Sequence, residues 1–161
     1  FVAERLRPLD GLVLSSPAIA TGIKPWQRIM ASLVARIAPG LTIANGLPSE
    51  AISHDPREVA AYRADPRVHD RVSGRLAQFV DASGALVLAA APEWPLPTLL
   101  LFAGSDRLVD AEGSRRFAVL APKDRVTVRE FPQYYHELFN EADRAPVFDA
   151  LARWLEQRFP A

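Results

Sequence analysis

Cysteine is missing altogether from the 161 residues, so the chain forms no disulfide and no thiolate metal site. Either redox compartment is compatible with that. Histidine is scarce as well: His54, His69 and His136 are scattered and do not make a zinc cluster. An excess of charge of one sign is also absent, since 19 Lys and Arg cancel 19 Asp and Glu. No net field draws nucleic acid, or an anionic membrane, onto the whole protein. Contact with a membrane has to be local. Every wholly apolar run is far shorter than the roughly 20 residues that span a bilayer, and residues 1–7 lack a signal-peptide layout. Repeats and low-complexity tracts are absent. What is present is ordinary globular composition, 49% hydrophobic and 24% charged, enough for one domain with a sizeable core. The start is unusual: Phe1 without a methionine, followed closely by a strand, reads as a chain entered in mid-fold.

Leu12-Val13-Leu14, introduced by Asp10-Gly11 and stopped by Ser15-Ser16-Pro17, predicts a central parallel strand buried on both faces. Over residues 25–38 the period changes: Trp26, Ile29, Met30, Leu33, Val34 and Ile37 line one face of a helix that begins at a proline and ends at Pro39-Gly40. Residues 41–55 have Asn45, Gly46 and Pro48 and no sustained period, which predicts a loop. Pro56 and Pro66 frame a short helix. Residues 68–91 read as a helix, either continuous or interrupted at Ser83-Gly84. A second buried strand follows at Thr98-Leu99-Leu100-Leu101-Phe102-Ala103. Asp110 is placed to cap a helix through Leu120. Residues 126–131 alternate and read as a strand nearer an edge, and a helix over 143–158 offers Val147, Phe148, Leu151, Trp154 and Leu155 to the core. Strand, helix, strand, helix after residue 97 points to an α/β fold with a mostly parallel sheet. The helical block between the first two strands is too long for a crossover and reads as an inserted cap.

Two strand ends carry chemistry. The second strand runs into Gly104-Ser105-Asp106, and the third is followed by Tyr134-Tyr135-His136-Glu137. Loops at the carboxyl ends of parallel strands share one crevice, so Asp106 and His136 can meet there. A carboxylate that orients an imidazole is two-thirds of a Ser-His-Asp triad, in the order acid then base. The third member is not evident. No G-x-S-x-G occurs, and Ser15, Ser16 and Ser105 are the only serines at strand ends. Ser15-Ser16-Pro17 either stops a strand or harbours a nucleophile. His136 has a plain reading too, as a satisfied surface or hinge histidine. Asp110 fits a helix cap better than a triad acid.

Leu12-Val13-Leu14-Ser15-Ser16-Pro17-Ala18, Ser53-His54-Asp55 with Tyr62-Arg63-Ala64-Asp65-Pro66, residues 99–110, and Tyr135-His136-Glu137-Leu138-Phe139-Asn140-Glu141 together resemble the monoacylglycerol lipase and lysophospholipase branch of the α/β-hydrolases. The resemblance implies the later, C-terminal portion of that fold. It divides the chain into a sheet segment 1–20, a helical cap and return over 21–93, and a sheet segment 94–161 that carries Asp106 as triad acid and His136 as base. By the same resemblance the nucleophile elbow and oxyanion hole precede Phe1, so the N-terminal half of the same fold is the partner this chain needs for activity. The implied substrate is a small lipid ester, a monoacylglycerol or lysophospholipid. Ile29, Met30, Leu33, Tyr62, Leu108 and Val109 are its expected contacts, with no metal and no cofactor. The implied location is cytoplasmic, peripheral to a membrane.

Several readings stay open. Tyr62, Asp65 and Pro66 line a pocket entrance or form a plain turn, and His54 and His69 beside Asp55 and Asp70 read as solvated side chains. The apolar face of the helix over 25–38 either packs on the sheet or, flanked by Lys24, Arg28 and Arg36, lies at a lipid interface. Two rivals to serine esterase chemistry share the fold: an epoxide or haloalkane hydrolase with an upstream aspartate nucleophile, and a lipid-binding homologue that has lost its nucleophile.

Overall fold

The computed structural model describes residues 2–20, 25–38 and 40–160; Phe1, Lys24 and the side chain of Arg28 lie outside them. In chain order β1 is Leu12–Ser15, α1 Pro25–Ile37, β2 Thr42–Ala44, α2 Pro56–Ala64, β3 Arg71–Ser73 and α3 Gly74–Ala90. Then come β4 Thr98–Ala103, α4 Ala111–Leu120, β5 Val126–Phe131 and α5 Ala145–Arg158. Strands β1, β4 and β5 form a parallel sheet in the order β1-β4-β5, and β2 pairs with β3 in a separate antiparallel ribbon. This is the α/β arrangement the sequence predicts, a parallel sheet flanked by helices.

Every residue of β4 is buried, because the strand is paired on both edges and covered on both faces. Leu100 and Phe102 pack with Ile19, Trp94 and Phe117 of α4 in one cluster. Leu99, Leu101 and Ala103 belong to the other, with Leu138 and with Val147, Ala150 and Trp154 of α5. A strand with two apolar faces has no alternation to show, which is why its sequence is a continuous run. Complete burial of each leucine stabilises the fold by about 1.5–3 kcal/mol. The polar first residue is provided for, since the Trp94 indole N–H donates to Thr98 Oγ1 at 2.8 Å. Asp110 caps α4 as expected, accepting from the Glu112 amide at 2.9 Å.

Strand β1 is parallel, as expected, and within the described residues it pairs with β4. Three expectations need correction. Residues 41–55 are not all loop, because Thr42–Ala44 is held as a strand by its pairing with Arg71–Ser73, and Ser49–Ala51 makes a 3₁₀ turn. Residues 71–73 are accordingly strand rather than helix; Ser73 caps α3 by accepting from the Leu76 amide, and α3 then runs unbroken through Ser83-Gly84. On α5, Val147 and Trp154 are buried but Phe148 and Leu155 stay exposed. That helix covers one face of a narrow sheet and buries only the strip that touches it.

Gly84 marks a close approach, not a break. A Cβ there would come within 2.1 Å of the Ile19 carbonyl oxygen, and one at Gly113 of α4 within 2.4 Å of the Ala20 amide nitrogen. Helices α3 and α4 therefore both press on the segment that leaves β1. Gly84→Ala should cost about 1–3 kcal/mol through overpacking, outweighing the roughly 1 kcal/mol that alanine gains by helix propensity. Gly40→Ala, whose Cβ would meet nothing within 4 Å, is the matched control and should be neutral or slightly stabilising. Urea unfolding of the two variants checks this; equal midpoints would mean that α3 can back away from residue 19.

Candidate functional site

Strand β4 ends at Ala103, and the turn that follows delivers Asp106 to the carboxyl edge of the sheet. Strand β5 ends at Phe131, and its loop delivers His136. The two loops are tied before they reach those residues: the Gly104 amide donates to the Phe131 carbonyl at 2.8 Å, and Ser105 Oγ donates to the Pro132 carbonyl at 2.8 Å. Register between the strands continues into register between the loops. Asp106 Oδ2 and His136 Nδ1 then lie 2.8 Å apart.

The Asp106 side chain is only 1% exposed, whereas that of His136 is 28% exposed. Burial pushes the Asp106 carboxyl up, but the bond from His136 and the amides of Val109 and Leu108 on Oδ1 outweigh it, and the group ends below the ordinary carboxylate range. Asp106 is therefore ionised near neutrality and can only accept. The proton between them sits on His136 Nδ1, which leaves the lone pair on Nε2. That is the tautomer of a general base, held by a buried anion and with part of its ring open to solvent.

Ser15 is the last residue of β1, exposed and in register with Leu101, and Ser16 follows it. Ser16 is buried with a φ of 40°, and its Oγ accepts from the Ala103 amide at 3.3 Å. Its hydroxyl is thus engaged with the backbone of β4. Ser105 is engaged with Pro132, as described above.

Leu108 and Val109 are half-buried, and their amides hold the acid. Met30 lines a cavity of 420 Å³ together with Trp26, Val34, Leu41, Ile43 and Val72. Ile29 and Leu33 stand exposed on α1, and Tyr62 is half-buried on α2. Asp65 terminates α2 and pairs with Arg67 at 2.7 Å.

His54 is exposed, as a solvated side chain would be, but it is also engaged on one side. Its Nδ1 lies 2.9 Å from Glu141 Oε1, and its ring stacks on Tyr135 at 3.7 Å between centroids. Asp55 caps α2, accepting from the Arg57 amide, and the Arg57 guanidinium lowers its carboxyl to about 2. Glu141 is 3% exposed. Burial pushes it up, but the Tyr135 amide and the ring and amide of His54 outweigh that and leave it below its ordinary value. Sequence reasoning passed over Glu141 because its partner is 87 residues away and an acidic stretch ordinarily reads as solvated surface. Among the described residues no group of three or more His, Asp and Glu could hold a metal, and no helix is long and apolar enough to cross a membrane.

The profile of the family described as serine aminopeptidase, S33, matches residues 1–143. A monoacylglycerol lipase of Mycolicibacterium smegmatis is 33% identical over 149 residues, covering 91% of this chain and 53% of that protein. A human monoglyceride lipase is 28% identical over 163 residues, 97% of this chain and 53% of its own length. The crystal structure of a Paleococcus ferrophilus monoacylglycerol lipase superposes with a TM-score of 0.89 at 33% identity, covering 98% of this chain and 62% of that one. The chain thus spans about half the length of the curated relatives it matches.

Because the folded pKa values of Asp106 and Glu141 are lowered, each contributes stability that is present above the ordinary carboxylate range and lost as the pH falls below about 4. The melting temperature should therefore drop between pH 5 and 3, and Glu141→Gln should flatten that drop while lowering the plateau at neutral pH. Parallel curves for the two proteins would show that Glu141 is not ionised in the fold.

Proposed function

The chain belongs to the serine aminopeptidase S33 family of α/β-hydrolases, in its monoacylglycerol lipase-like branch, and on that premise we propose that it carries the acid and base of a serine hydrolase acting on glycerolipid esters. The observation that supports this most directly is the 2.8 Å contact between a buried Asp106 and a partly exposed His136. Nε2 of His136 takes the proton from a serine hydroxyl supplied by sequence outside these 161 residues. The serine oxygen attacks the ester carbonyl, and a tetrahedral oxyanion forms and collapses. His136 then protonates the departing alcohol. Water, deprotonated by the same nitrogen, cleaves the acyl-enzyme and releases the fatty acid. Asp106 keeps its charge throughout and stabilises the imidazolium.

Residues 21–93 are the cap of this reading, with Met30 and the cavity beside it as the apolar receptor for an acyl chain and Ile29 and Leu33 as its contact with lipid. Tyr62, Leu108 and Val109 complete the proposed substrate contacts. A single-chain ester fits a cavity of that size better than a two-chain lipid. The site calls on no cofactor, and the protein works in the cytoplasm at a membrane surface.

In the full-length protein, His136→Ala should lower kcat on a short p-nitrophenyl ester by about 10⁴-fold, and Asp106→Asn, which favours the wrong tautomer, by a similar factor. Both should still unfold cooperatively. Unchanged turnover in either variant ends the assignment. Labelling of the wild type by a fluorophosphonate probe separates an esterase from a homologue that only binds lipid.

A further inference from the structure

The bond from Asp106 sets the tilt of the His136 ring, but a ring can also move with its backbone. The residues on both sides of His136 are held by backbone hydrogen bonds, one to a nearby carboxylate and one to a distant segment. The Tyr135 amide, on its N-terminal side, donates to Glu141 Oε1 at 2.6 Å. The Glu137 amide, on its C-terminal side, donates to the Ile52 carbonyl at 2.8 Å. Glu141 is in turn oriented by the segment that contains Ile52. It accepts from the His54 amide on Oε2 at 3.0 Å and from His54 Nδ1 on Oε1 at 2.9 Å. Ser53 Oγ donates to the Asn140 carbonyl at 2.7 Å, and Arg144 pairs with Glu58 at 3.1 Å. Tyr135 extends the contact to the acid's own loop, because the guanidinium of Arg107 lies 5.9 Å from the ring that His54 stacks on.

Resting on the hydrolase reading above, we propose that Glu141, oriented by His54, is a positioning residue that clamps the loop carrying His136 to the 52–54 segment and so sets the distance from His136 Nε2 to the nucleophile. Glu141 touches no reacting atom. It acts by fixing the amide of Tyr135, one residue before the base, and its second oxygen anchors it to a segment that enters the fold 87 residues earlier. Without the clamp the loop is free to shift, which loosens the bond from His136 to Asp106 and takes Nε2 away from the nucleophile. A shift of even about 1 Å at a proton-transfer step costs roughly 100-fold. His54 contributes two separable contacts, a donor nitrogen and a stacked ring, so its variants can tell them apart.

The test uses the full-length protein with a soluble short-chain ester. Glu141→Ala and His54→Phe should each lower kcat by roughly 10- to 100-fold with KM nearly unchanged. Both should also slow fluorophosphonate labelling and weaken the strongly deshielded Nδ1 proton resonance of His136. His54→Asn places an amide nitrogen where Nδ1 stood and should restore most of kcat and the resonance. The exposed position of His54, 46% by side chain, lets its variants fold if Glu141→Ala does not. Wild-type kcat with an intact resonance in folded His54→Phe would overturn the proposal. So would a loss in His54→Asn as large as in His54→Phe, since a restored donor to Glu141 would then restore nothing. If His136→Ala itself keeps turnover, the hydrolase reading fails first; if only His54→Phe is silent, the clamp alone fails.

Discussion

A carboxylate that is 1% exposed is tolerated only where its lost hydration is replaced, and the surroundings of Asp106 are arranged to replace it. One oxygen takes two backbone amides from the turn that follows, and the other takes the imidazole N–H of His136. Lose the imidazole, and one oxygen of a buried carboxylate is left without its partner. The same bond that satisfies Asp106 selects the tautomer of His136. Stability and the proposed chemistry therefore share one contact here, and the rest of the fold serves to bring its two ends together.

That service begins with β4. Only a strand supported on both edges and both faces holds its carboxyl end still enough to aim a side chain, and β4 is the described strand with that support. The links from Gly104 and Ser105 to the end of β5 carry the rigidity past the last ladder bond into the loops. Helices α3 and α4 are drawn in by glycines at their points of nearest approach, so the sheet is supported on the face opposite α5.

The second buried carboxylate, Glu141, repeats the same physics for a different end. Its partners are backbone amides and a histidine ring, as for Asp106, yet that ring stacks on Tyr135. Two buried anions thus stand on either side of the loop that carries His136, one holding its ring and the other its backbone. The segment 52–58 that supplies the outer partners leads into α2, so the loop that carries His136 and the start of α2 are mechanically connected.

Features of short range were legible in the residues alone. The apolar run of β4, the alternation of β5, the Asp110 cap and the helical faces of α1 and α5 are patterns within one or two turns of chain, and the side chains themselves enforce them. Asp106 and His136 were legible for a related reason, since each stands just past a strand end and parallel strands gather such ends at one edge. The place of β1 in the sheet, the pairing of Thr42–Ala44 with Arg71–Ser73, the continuity of α3 through Gly84 and the bond between His54 and Glu141 were decided only by tertiary structure. Each depends on a partner far off in the chain, and neither a strand's neighbour nor a carboxylate's donor leaves a trace in its own local pattern. A glycine reads as a break until the backbone that approaches it is known, and a glutamate in an acidic stretch reads as solvent-facing until the fold closes over it.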